Sequence, residues 1–498
     1  MDSATKGDDK DSTGVYNYDD AVELTGHGRY NYLVLFTCCI IHHAVALDMF
    51  GFSMVLAAAT CDLNLGITET GILASAPFAG VFFAFPFGYY ADTGGRRRAL
   101  LLSTTVGFTF AALSSFSTNW QMMLAFKFIG CSFSTASFAL TMAYLGECVD
   151  SKHRSRYLII MVSMDLACEI VSNGIAYFVL PLTLHWPIPW LFITYRSWRL
   201  YTLILALPLG IGALLLLCVF ESPKFLANKG ETKEALRLLR RIYVINGGNE
   251  DKFPVKQIKQ PEEINSETDS IWLSLKKQTV PLFKPPLLWR TLQLFYLIIL
   301  CSTTNNVFAM WFPTMVNLFF NSISDSSSKS GFCEGVVQNV TTGTHIDNFD
   351  CDDFVSSNTI YSGIVLGLII SSLNLAVSTL ASWRRLVLIG SYIVSGISCV
   401  LVSLLSYPIA NITFFILIQT SAVGVGSVAS FFVDLYPTSY RGLVTSLGMM
   451  MTRLASFAGV NVLGVVFVEH CNLIFYCWSL FILSGVAVAL FLPSDRRK

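Results

Sequence analysis

Ionisable residues inside long apolar stretches are the side chains of this sequence best suited to chemistry. Asp165 and Glu169 lie one helical turn apart in one apolar run, and Arg453 lies in another. A charge in an apolar environment is costly unless it is paired, and two acids one turn apart repel each other. A cation, a proton or a base between them would remove that repulsion. We expect Arg453 to be the base that pairs with them.

Other polar side chains in the apolar runs are candidates for binding a solute or a coupling ion. Lys127 and Asp48 could equally form a packing pair, and the adjacent His42 and His43 cannot face one cavity together. Hydrogen bonding between helices explains the amides, including Gln419 and Asn461, nearly as well. The candidates are Asp165, Glu169, Arg453, Lys127, Asp48, His42, Asn305, Asn306 and Trp311.

The composition places these residues in a membrane. Charged residues make up 13% of the chain and hydrophobic residues 53%, whereas a soluble domain has roughly 25% charged residues. The net charge is zero, so no basic surface indicates nucleic-acid binding. The 498 residues leave room for about a dozen spans of about 20 residues. We predict an all-α membrane protein with twelve transmembrane helices in two pseudo-symmetric six-helix halves.

Charged loop motifs recur between the apolar runs at a fixed offset. Asp434 and Arg441 follow Glu147 and Arg154 by 287 residues, and Arg384-Arg385 follows Arg97-Arg98 by the same number. One offset for both pairs indicates an internal duplication, which is common among membrane carriers. The motif residues are Gly88, Asp92, Gly95, Arg96, Arg97, Glu147, Arg154, Asp434 and Arg441.

We interpret these loop motifs as a gate. Asp92 beside a helix N-terminus, and the arginines that follow it, suit charge–dipole contacts and ion pairs between helices. Glu147 and Arg154 could pair in the same way across their loop. Such contacts can hold one access state and break in the other. The alternative is that these charges only set the topology.

Hydropathy and loop charge predict the organisation of the chain. Nine basic residues in short loops on one side oppose three on the other, and the positive-inside rule places the first side and both termini in the cytosol. The linker carries a basic amphipathic helix around residues 235–242. The predicted parts are an acidic tail (1–29), a first half (30–220), a cytosolic linker (221–290), a second half (291–492) with an extracellular or luminal loop (321–357), and a short tail (493–498).

Glycosylation and disulfide signals mark the outer side. Asn339 and Asn411 begin Asn-x-Thr sequons, which are acceptors for N-linked glycans unless they are chance triplets. Cys333 and Cys351 share the outer loop, and cysteines in an oxidising compartment tend to form disulfides. We therefore predict a bond between these two cysteines.

These motifs resemble the major facilitator superfamily. The stretch from Gly88 to Arg97 is similar to its loop signature, and Glu221-Ser-Pro-Lys224 with the two acid-x6-arginine motifs resembles the sugar-porter and organic-ion branch. Ser197-Trp198-Arg199, Trp311-Phe312-Pro313 and Asp434-Leu-Tyr-Pro437 look most like the synaptic vesicle glycoprotein 2 family and its invertebrate relatives. The resemblance implies a carrier with its solute site near the membrane midplane.

Departures from the family pattern argue against two activities found in the family. Thr93 replaces a basic residue, and the second copy of the signature has Thr379, Ser382 and Trp383 where an acid, a glycine and an arginine are expected. The seventh predicted span has no glutamine pair, and the fifth has no glycine-proline pattern. Hexose transport and drug antiport therefore both lose support.

We conclude that the sequence predicts a transporter of a small organic solute, either an organic ion or a sugar-like molecule, working by alternating access. A proton or another cation is the candidate coupling ion. The alternative is a non-transporting synaptic-vesicle-type protein that uses the carrier fold as a trafficking or binding scaffold. We expect no enzyme activity, cofactor, metal site or nucleic-acid partner. The expected state is a monomer in the lipid bilayer of the plasma membrane or of an intracellular vesicle.

Overall fold

The described chain is a bundle of long helices with two short strand pairs. The computed structural model describes residues 14–258, 279–325, 331–343, 355–379, 383–436 and 438–493. The helices before the linker are α1 (Tyr18–Glu23), α2 (Arg29–Phe50), α3 (Phe52–Ala59), α4 (Ile67–Ala79), α5 (Val81–Gly94), α6 (Arg96–Ser114), α7 (Trp120–Ser134), α8 (Ala136–Cys148), α9 (Ser151–Leu166), α10 (Cys168–Val179) and α11 (Ser197–Cys218).

The linker and the second half continue this pattern. Their helices are α12 (Pro223–Asn228), α13 (Thr232–Ile245), α14 (Leu288–Asp325), α15 (Phe332–Gly343), α16 (Ser357–Thr379), α17 (Arg384–Leu404), α18 (Pro408–Ile418), α19 (Ala422–Leu435) and α20 (Thr438–Ala489). Within the described residues, nine helices are long and apolar enough to cross a membrane. The last of them, α20, is kinked at His470, between the eleventh and twelfth predicted spans. The count of twelve spans stays a prediction.

The N-terminal segment and the linker fold together at one end of the bundle. Strand β1 (Val15–Tyr16) pairs in parallel with strand β4 (Gln257–Ile258), while β2 (Trp186–Ile188) and β3 (Ile193–Tyr195) form a separate antiparallel pair. The predicted amphipathic helix is α13, whose apolar face packs against α1 and the residues before β4. We call the end that carries residues 221–258 the linker end, and the end that carries residues 60–66 and 180–196 the far end.

The two halves pack closely against each other toward the far end. A Cβ atom on Gly71 of α4 would lie 3.2 Å from the Cα atom of Gly464 on α20, and Trp311 of α14 covers both glycines. On the other side of the bundle, Gly363 of α16 lies so close to Asn173 of α10 that a side chain there would overlap the amide. Small residues allow helix backbones in membranes to approach this closely. The far end is therefore closed by contacts between the halves.

Candidate functional site

The loop motifs of the first half form a charged network at the linker end. Arg96 at the start of α6 lies 2.5 Å from Asp92 and 3.2 Å from Glu147 at the end of α8. The second oxygen of Glu147 accepts a 2.6 Å hydrogen bond from the hydroxyl of Ser222. One arginine thereby joins three helices through two carboxylates. We call Asp92, Arg96, Glu147, Glu221 and Ser222 the first-half motif cluster.

Glu221 caps the N-terminus of α6 within this cluster. Its Oε1 atom accepts hydrogen bonds from the backbone N–H of Arg97 at 2.8 Å and from that of Ser222 at 3.0 Å. The first N–H groups of a helix have no partner within the helix, and a negative charge there is favourable. Gly95 permits this contact because its φ is +112° and a Cβ atom would lie only 2.5 Å from Glu221. The sequence predicts Asp92 beside a helix N-terminus and gives no indication of Glu221 in this capping position.

Arg154 belongs to a different contact from the one predicted. Its Nη2 atom lies 3.2 Å from Asp19 in α1, whereas Glu147 is bound to Arg96. The predicted Glu147–Arg154 pair is therefore wrong, because Arg96 approaches Glu147 across the bundle. Tyr18 adds a 2.8 Å hydrogen bond to the backbone oxygen of Glu147, and burial raises the pKa of Tyr18 well above its usual value. These contacts attach the N-terminal segment to the loop before α9.

The second half repeats the arrangement with a shift of one residue. Arg384 lies 2.5 Å from Asp434, as Arg96 lies beside Glu147. Arg385 donates to the backbone oxygen of Leu490, as Arg97 donates to that of Leu216. The predicted equivalence of Arg97 with Arg384 is therefore wrong by one position, since the contacts match Arg96 to Arg384. The side chain of Arg441 lies outside the described residues.

Asp165 pairs with His42 near the middle of the bundle. Its Oδ2 atom lies 3.0 Å from Nε2 of the buried His42, although the ring is not turned for a linear hydrogen bond. The other ring nitrogen of His42 lies 3.2 Å from the hydroxyl of Thr141. His43 packs separately, with its Nδ1 atom 2.9 Å from the backbone oxygen of Met164. The pair joins α2 to α9, and the sequence gave no indication of Thr141.

Arg453 does not form the predicted ion pair. Among the described residues it has no acidic partner within ion-pair distance, and its guanidinium lies 6.0 Å from the ring centre of Phe138. The same Phe138 ring lies 4.1 Å from the ring of His42. The predicted Asp165–Arg453 pair is wrong for this conformation because His42 occupies that side of Asp165. Phe138 is a shared neighbour that sequence analysis missed.

Glu169 faces a different surface from Asp165. Its carboxylate lies 3.5 Å from the amide nitrogen of Asn173 one turn further along α10. A Cβ atom on Gly367 of α16 would lie 3.1 Å from the Cβ atom of Glu169. The two acids therefore do not act on a common partner, because Glu169 lies at the seam between the halves.

Asp48 and Lys127 form a buried ion pair. The Nζ atom of Lys127 lies 2.5 Å from Asp48, and both side chains are less than 5% exposed. Cys131 approaches the second oxygen of Asp48 at 3.6 Å, and the ammonium also lies 4.6 Å from the ring centre of Phe52. The pair joins α2 to α7 inside the first half, so it matches the packing alternative at least as well as a solute site.

The remaining candidates on α14 divide into two groups. Asn306 donates a 3.0 Å hydrogen bond to Ser456, which lies one turn from Arg453 on α20, and Asn305 lies beside it. Trp311 is buried and donates to the backbone oxygen of Val460 at 3.3 Å. The asparagines therefore lie on the Arg453 side of the second half, whereas Trp311 closes the far end.

The far end shows two differences from the predictions. Cys333 is bonded to Cys471, with Cα atoms 5.8 Å apart, so the predicted bond to Cys351 is wrong: α15 folds back onto α20 at its kink. Asn411 is completely buried in α18, which contradicts its prediction as a glycan acceptor. Cys351 and the side chain of Asn339 lie outside the described residues, and the glycan at Asn339 stays a prediction.

The Ser197-Trp198-Arg199 motif is explained by an acid that sequence analysis missed. Asp62 lies 2.7 Å from the buried guanidinium of Arg199 and accepts a 3.2 Å hydrogen bond from Trp198. Arg199 also donates to the backbone oxygens of Ser115 and Ser117. This cluster fixes the loop before α4 to α11, so its role is structural.

Several known proteins with similar sequences are synaptic vesicle glycoproteins, as the sequence motifs predict. The rat (Rattus norvegicus) synaptic vesicle glycoprotein 2B is 26% identical over 349 residues, which cover 65% of this chain and 50% of that protein. The mouse (Mus musculus) synaptic vesicle glycoprotein 2C is 27% identical over 258 residues, covering 50% of this chain and 35% of that protein. The chain thus spans about half or less of the length of these relatives.

Structural and family comparisons agree on the fold. A solved structure of the xylose transporter XylE from E. coli, in a partially occluded inward-open conformation, matches with a TM-score of 0.64 at 14% identity, over 94% of this chain and 99% of that chain. A D-xylose-proton symporter matches with a TM-score of 0.63 at 12% identity, with the same coverage of both chains. The family model described as Major Facilitator Superfamily matches residues 38–460. The predicted resemblance and fold class are confirmed, and the chain belongs to the major facilitator superfamily.

Proposed function

We propose that this protein is a carrier that moves a small organic solute across a membrane by alternating access of its two halves. The observation that carries the proposal is the meeting of ionisable side chains from both halves around Phe138. Asp165 and His42 contribute from the first half, and Arg453 reaches the same ring from the second half. Ionisable groups inside a membrane bundle commonly mark a solute or proton pathway.

The proposed solute is an organic anion. Arg453 has no acidic partner within ion-pair distance among the described residues, and a fixed cation in an apolar bundle favours a ligand of opposite charge. Asn306 and Ser456 place neutral hydrogen-bonding groups one turn away. A carboxylate on the solute would pair with the guanidinium, and these groups would hold its polar substituents. A sugar-like solute is less favoured because it would leave Arg453 unpaired.

A proton is the proposed coupling ion, with Asp165 as its carrier. The Asp165 side chain is 24% exposed, whereas that of His42 is fully buried. An acid that reaches water in one conformation and lies against an imidazole can accept a proton and release that contact. Protonation of Asp165 would then loosen α9 from α2, which is the kind of change that alternating access requires.

The topology is proposed with both termini and the linker end in the cytosol. Nine basic residues in short loops oppose three, which supports this orientation through the positive-inside rule. The closed far end would then face outward, and the solute would reach Asp165 from the cytosol in this conformation.

Transport in proteoliposomes tests the proposal. Uptake of a mixture of organic anions, organic cations and sugars is compared between liposomes with and without the purified protein, with and without a pH gradient. We expect uptake of at least one carboxylate, loss of it in Arg453→Gln, and loss of pH dependence in Asp165→Asn. Arg241→Gln on the exposed face of α13 is the matched control and should transport normally.

A non-transporting scaffold is the second candidate, supported by the incomplete second signature. At the sequence offset of 287 residues, Thr379 and Ser382 replace Asp92 and Gly95 of the first half. At the offset of 288 residues that matches Arg96 to Arg384, Leu380 and Trp383 replace them. The relatives named above are synaptic vesicle glycoproteins, and a vesicle location is part of this candidate. If no solute class is taken up by the reconstituted protein, the scaffold replaces the carrier.

A further inference from the structure

Two histidines and an aspartate meet at the linker end, and none of them belongs to the first-half motif cluster. His27 lies between α1 and α2, Asp150 precedes α9, and His153 lies in the first turn of α9. One ligand atom from each residue lies within 4.8 Å of the others. Imidazole nitrogen and carboxylate oxygen are the ligands of many zinc sites. Neither the gate nor the solute site uses any of the three.

The carboxylate of Asp150 lies between the two imidazoles. Nδ1 of His153 is 2.7 Å from one oxygen of Asp150, and Nδ1 of His27 is 3.8 Å from the other. The two rings are stacked with centres 4.1 Å apart. Both Nδ1 atoms therefore lie within 4 Å of one carboxylate.

Two of these atoms lack the partners that buried polar atoms normally have. Nδ1 of His27 and Oδ1 of Asp150 are buried and have no hydrogen-bond partner in the part of the chain that the structure describes. A buried donor or acceptor without a partner is destabilising. An ion between them would satisfy both atoms at once.

The spacing suits a tetrahedral metal ion. Zinc binds imidazole nitrogen at about 2.0–2.1 Å and carboxylate oxygen at about 2.0–2.2 Å, which sets neighbouring ligand atoms about 3.3–3.5 Å apart. The 3.8 Å separation between His27 and Asp150 needs only a small movement to reach this value. Nε2 of His27 lies 2.9 Å from the hydroxyl of Tyr157, and such an outer contact orients the ring and leaves Nδ1 for the metal.

We propose that His27, Asp150 and His153 bind a divalent transition-metal ion such as Zn²⁺, with the fourth position open to water. Binding replaces the hydrogen bond between Nδ1 of His153 and Asp150. The proton on Nδ1 moves to Nε2 of the same ring or to water, because the metal takes the Nδ1 lone pair. Arg154, the residue after His153, is paired with Asp19 at 3.2 Å, which reduces its repulsion of a cation.

The ion would join the start of α2 to the start of α9. These helices also meet deeper in the bundle, through His42 with Asp165 and His43 with Met164. A metal at the linker end would hold the two helices together at the end opposite the closed far end. The site is therefore a regulatory clamp on α2 and α9, and it is independent of which solute the protein carries.

Metal binding to the purified full-length protein tests the site. Chelator-treated protein in detergent is titrated with Zn²⁺, measuring stoichiometry by calorimetry and the shift in Tm. We expect one ion per chain and a higher Tm. His27→Gln and His153→Gln should each weaken Zn²⁺ binding by about tenfold to a hundredfold or more. Changes to residues that only contact a metal ligand already have effects of that size. His185→Gln, at an exposed histidine of the far end, is the matched control and should bind like the unaltered protein.

A ligand replacement keeps the test decisive if a glutamine variant folds poorly. His153→Cys retains a zinc ligand, so it should still bind, and with Co²⁺ as the probe it should add a thiolate charge-transfer absorption that the unaltered protein lacks. Equal Zn²⁺ affinity in the unaltered protein, His27→Gln and His153→Gln would overturn the proposal. So would His153→Cys binding Co²⁺ without the thiolate band.

Discussion

The two halves of the bundle hold their helices together by different contacts. The first half uses charge pairs at every level: Asp92–Arg96–Glu147 at the linker end, His42–Asp165 and Asp48–Lys127 in the middle, and Asp62–Arg199 at the far end. The second half has Arg384–Asp434 at the linker end, and its interior is filled by an aromatic cluster of Phe308, Phe312, Phe332, Phe415 and Phe475.

This difference indicates a division of labour inside one duplicated fold. Ion pairs respond to protonation and to water, so they can exchange partners when the conformation changes. Close-packed rings have no charge to exchange and gain their stability from burial and ring geometry. A proton-linked step is therefore expected in the first half, while the second half moves as a more rigid unit that presents Arg453.

Breaking the most buried pair should have the largest effect. Lys127→Ala leaves the Asp48 carboxylate buried without its base, and loss of one partner of a buried pair costs about 3–5 kcal/mol. The free energy of unfolding in detergent, measured by denaturant titration, should fall by that amount. The double variant Asp48→Leu with Lys127→Met should recover most of the loss, because no charge remains unpaired. A double variant as unstable as Lys127→Ala would mean that the pair itself is not the source of stability.

Removing one phenylalanine ring tests how much the aromatic cluster stabilises the second half. Phe415 is fully buried and contacts four other phenylalanines of the cluster. Phe415→Ala creates a cavity and should cost about 3 kcal/mol, with no dependence on pH or salt. Phe178→Ala, at an exposed position, is the control and should change the stability little. A strong salt dependence of the Phe415→Ala effect would contradict a purely apolar core.

A smaller effect is expected where Gly95 meets Glu221. Gly95→Ala places a side chain at φ +112° and against the capping carboxylate, which should cost about 1–3 kcal/mol. Gly88→Ala in the neighbouring α5 meets no atom within 4 Å and should be neutral or slightly stabilising. Thermal unfolding of both variants measures the difference. Equal Tm values would show that the cap does not need the glycine.

The helices of this fold can be predicted from the sequence more reliably than the contacts of its charged side chains. Apolar length and motif spacing are local properties, so the helices, the duplication and the basic face of α13 could be found in the sequence. The motif residues Asp92, Arg96 and Glu147 lie together at the linker end, and their role as a gate stays a prediction. The partners of these charged side chains are set by how distant helices cross, which no local pattern records.

Specific errors show where local reasoning ends. Glu147 lies seven residues from Arg154, yet it binds Arg96 from another helix. Cys333 shares a loop with Cys351 in the sequence, yet it is bonded to Cys471 at the kink of α20. The histidine and aspartate cluster escaped notice for the same reason, because His27 lies far along the chain from Asp150 and His153. Proximity in the sequence misled the first two predictions, and separation in the sequence concealed the histidine and aspartate cluster.

The smallest effect should come from the exposed pair of the second half. Asp434 is 52% exposed, and Arg384 is also held by the ring of Phe431, 4.3 Å away, and by Ser430. Exposed ion pairs contribute about 0–1 kcal/mol, so Asp434→Asn should lower the free energy of unfolding by no more than that.

The matched first-half variant completes this comparison. Glu147 is only 17% exposed and accepts a further hydrogen bond from Ser222, so Glu147→Gln should destabilise more than Asp434→Asn. Raising the salt concentration to about 1 M shortens the Debye length to about 3 Å, which should remove most of the Asp434→Asn effect and leave most of the Glu147→Gln effect. Unfolding of both variants at low and high salt measures this. If the two respond equally to salt, the linker-end charges of the two halves are equivalent and the proposed division of labour fails there.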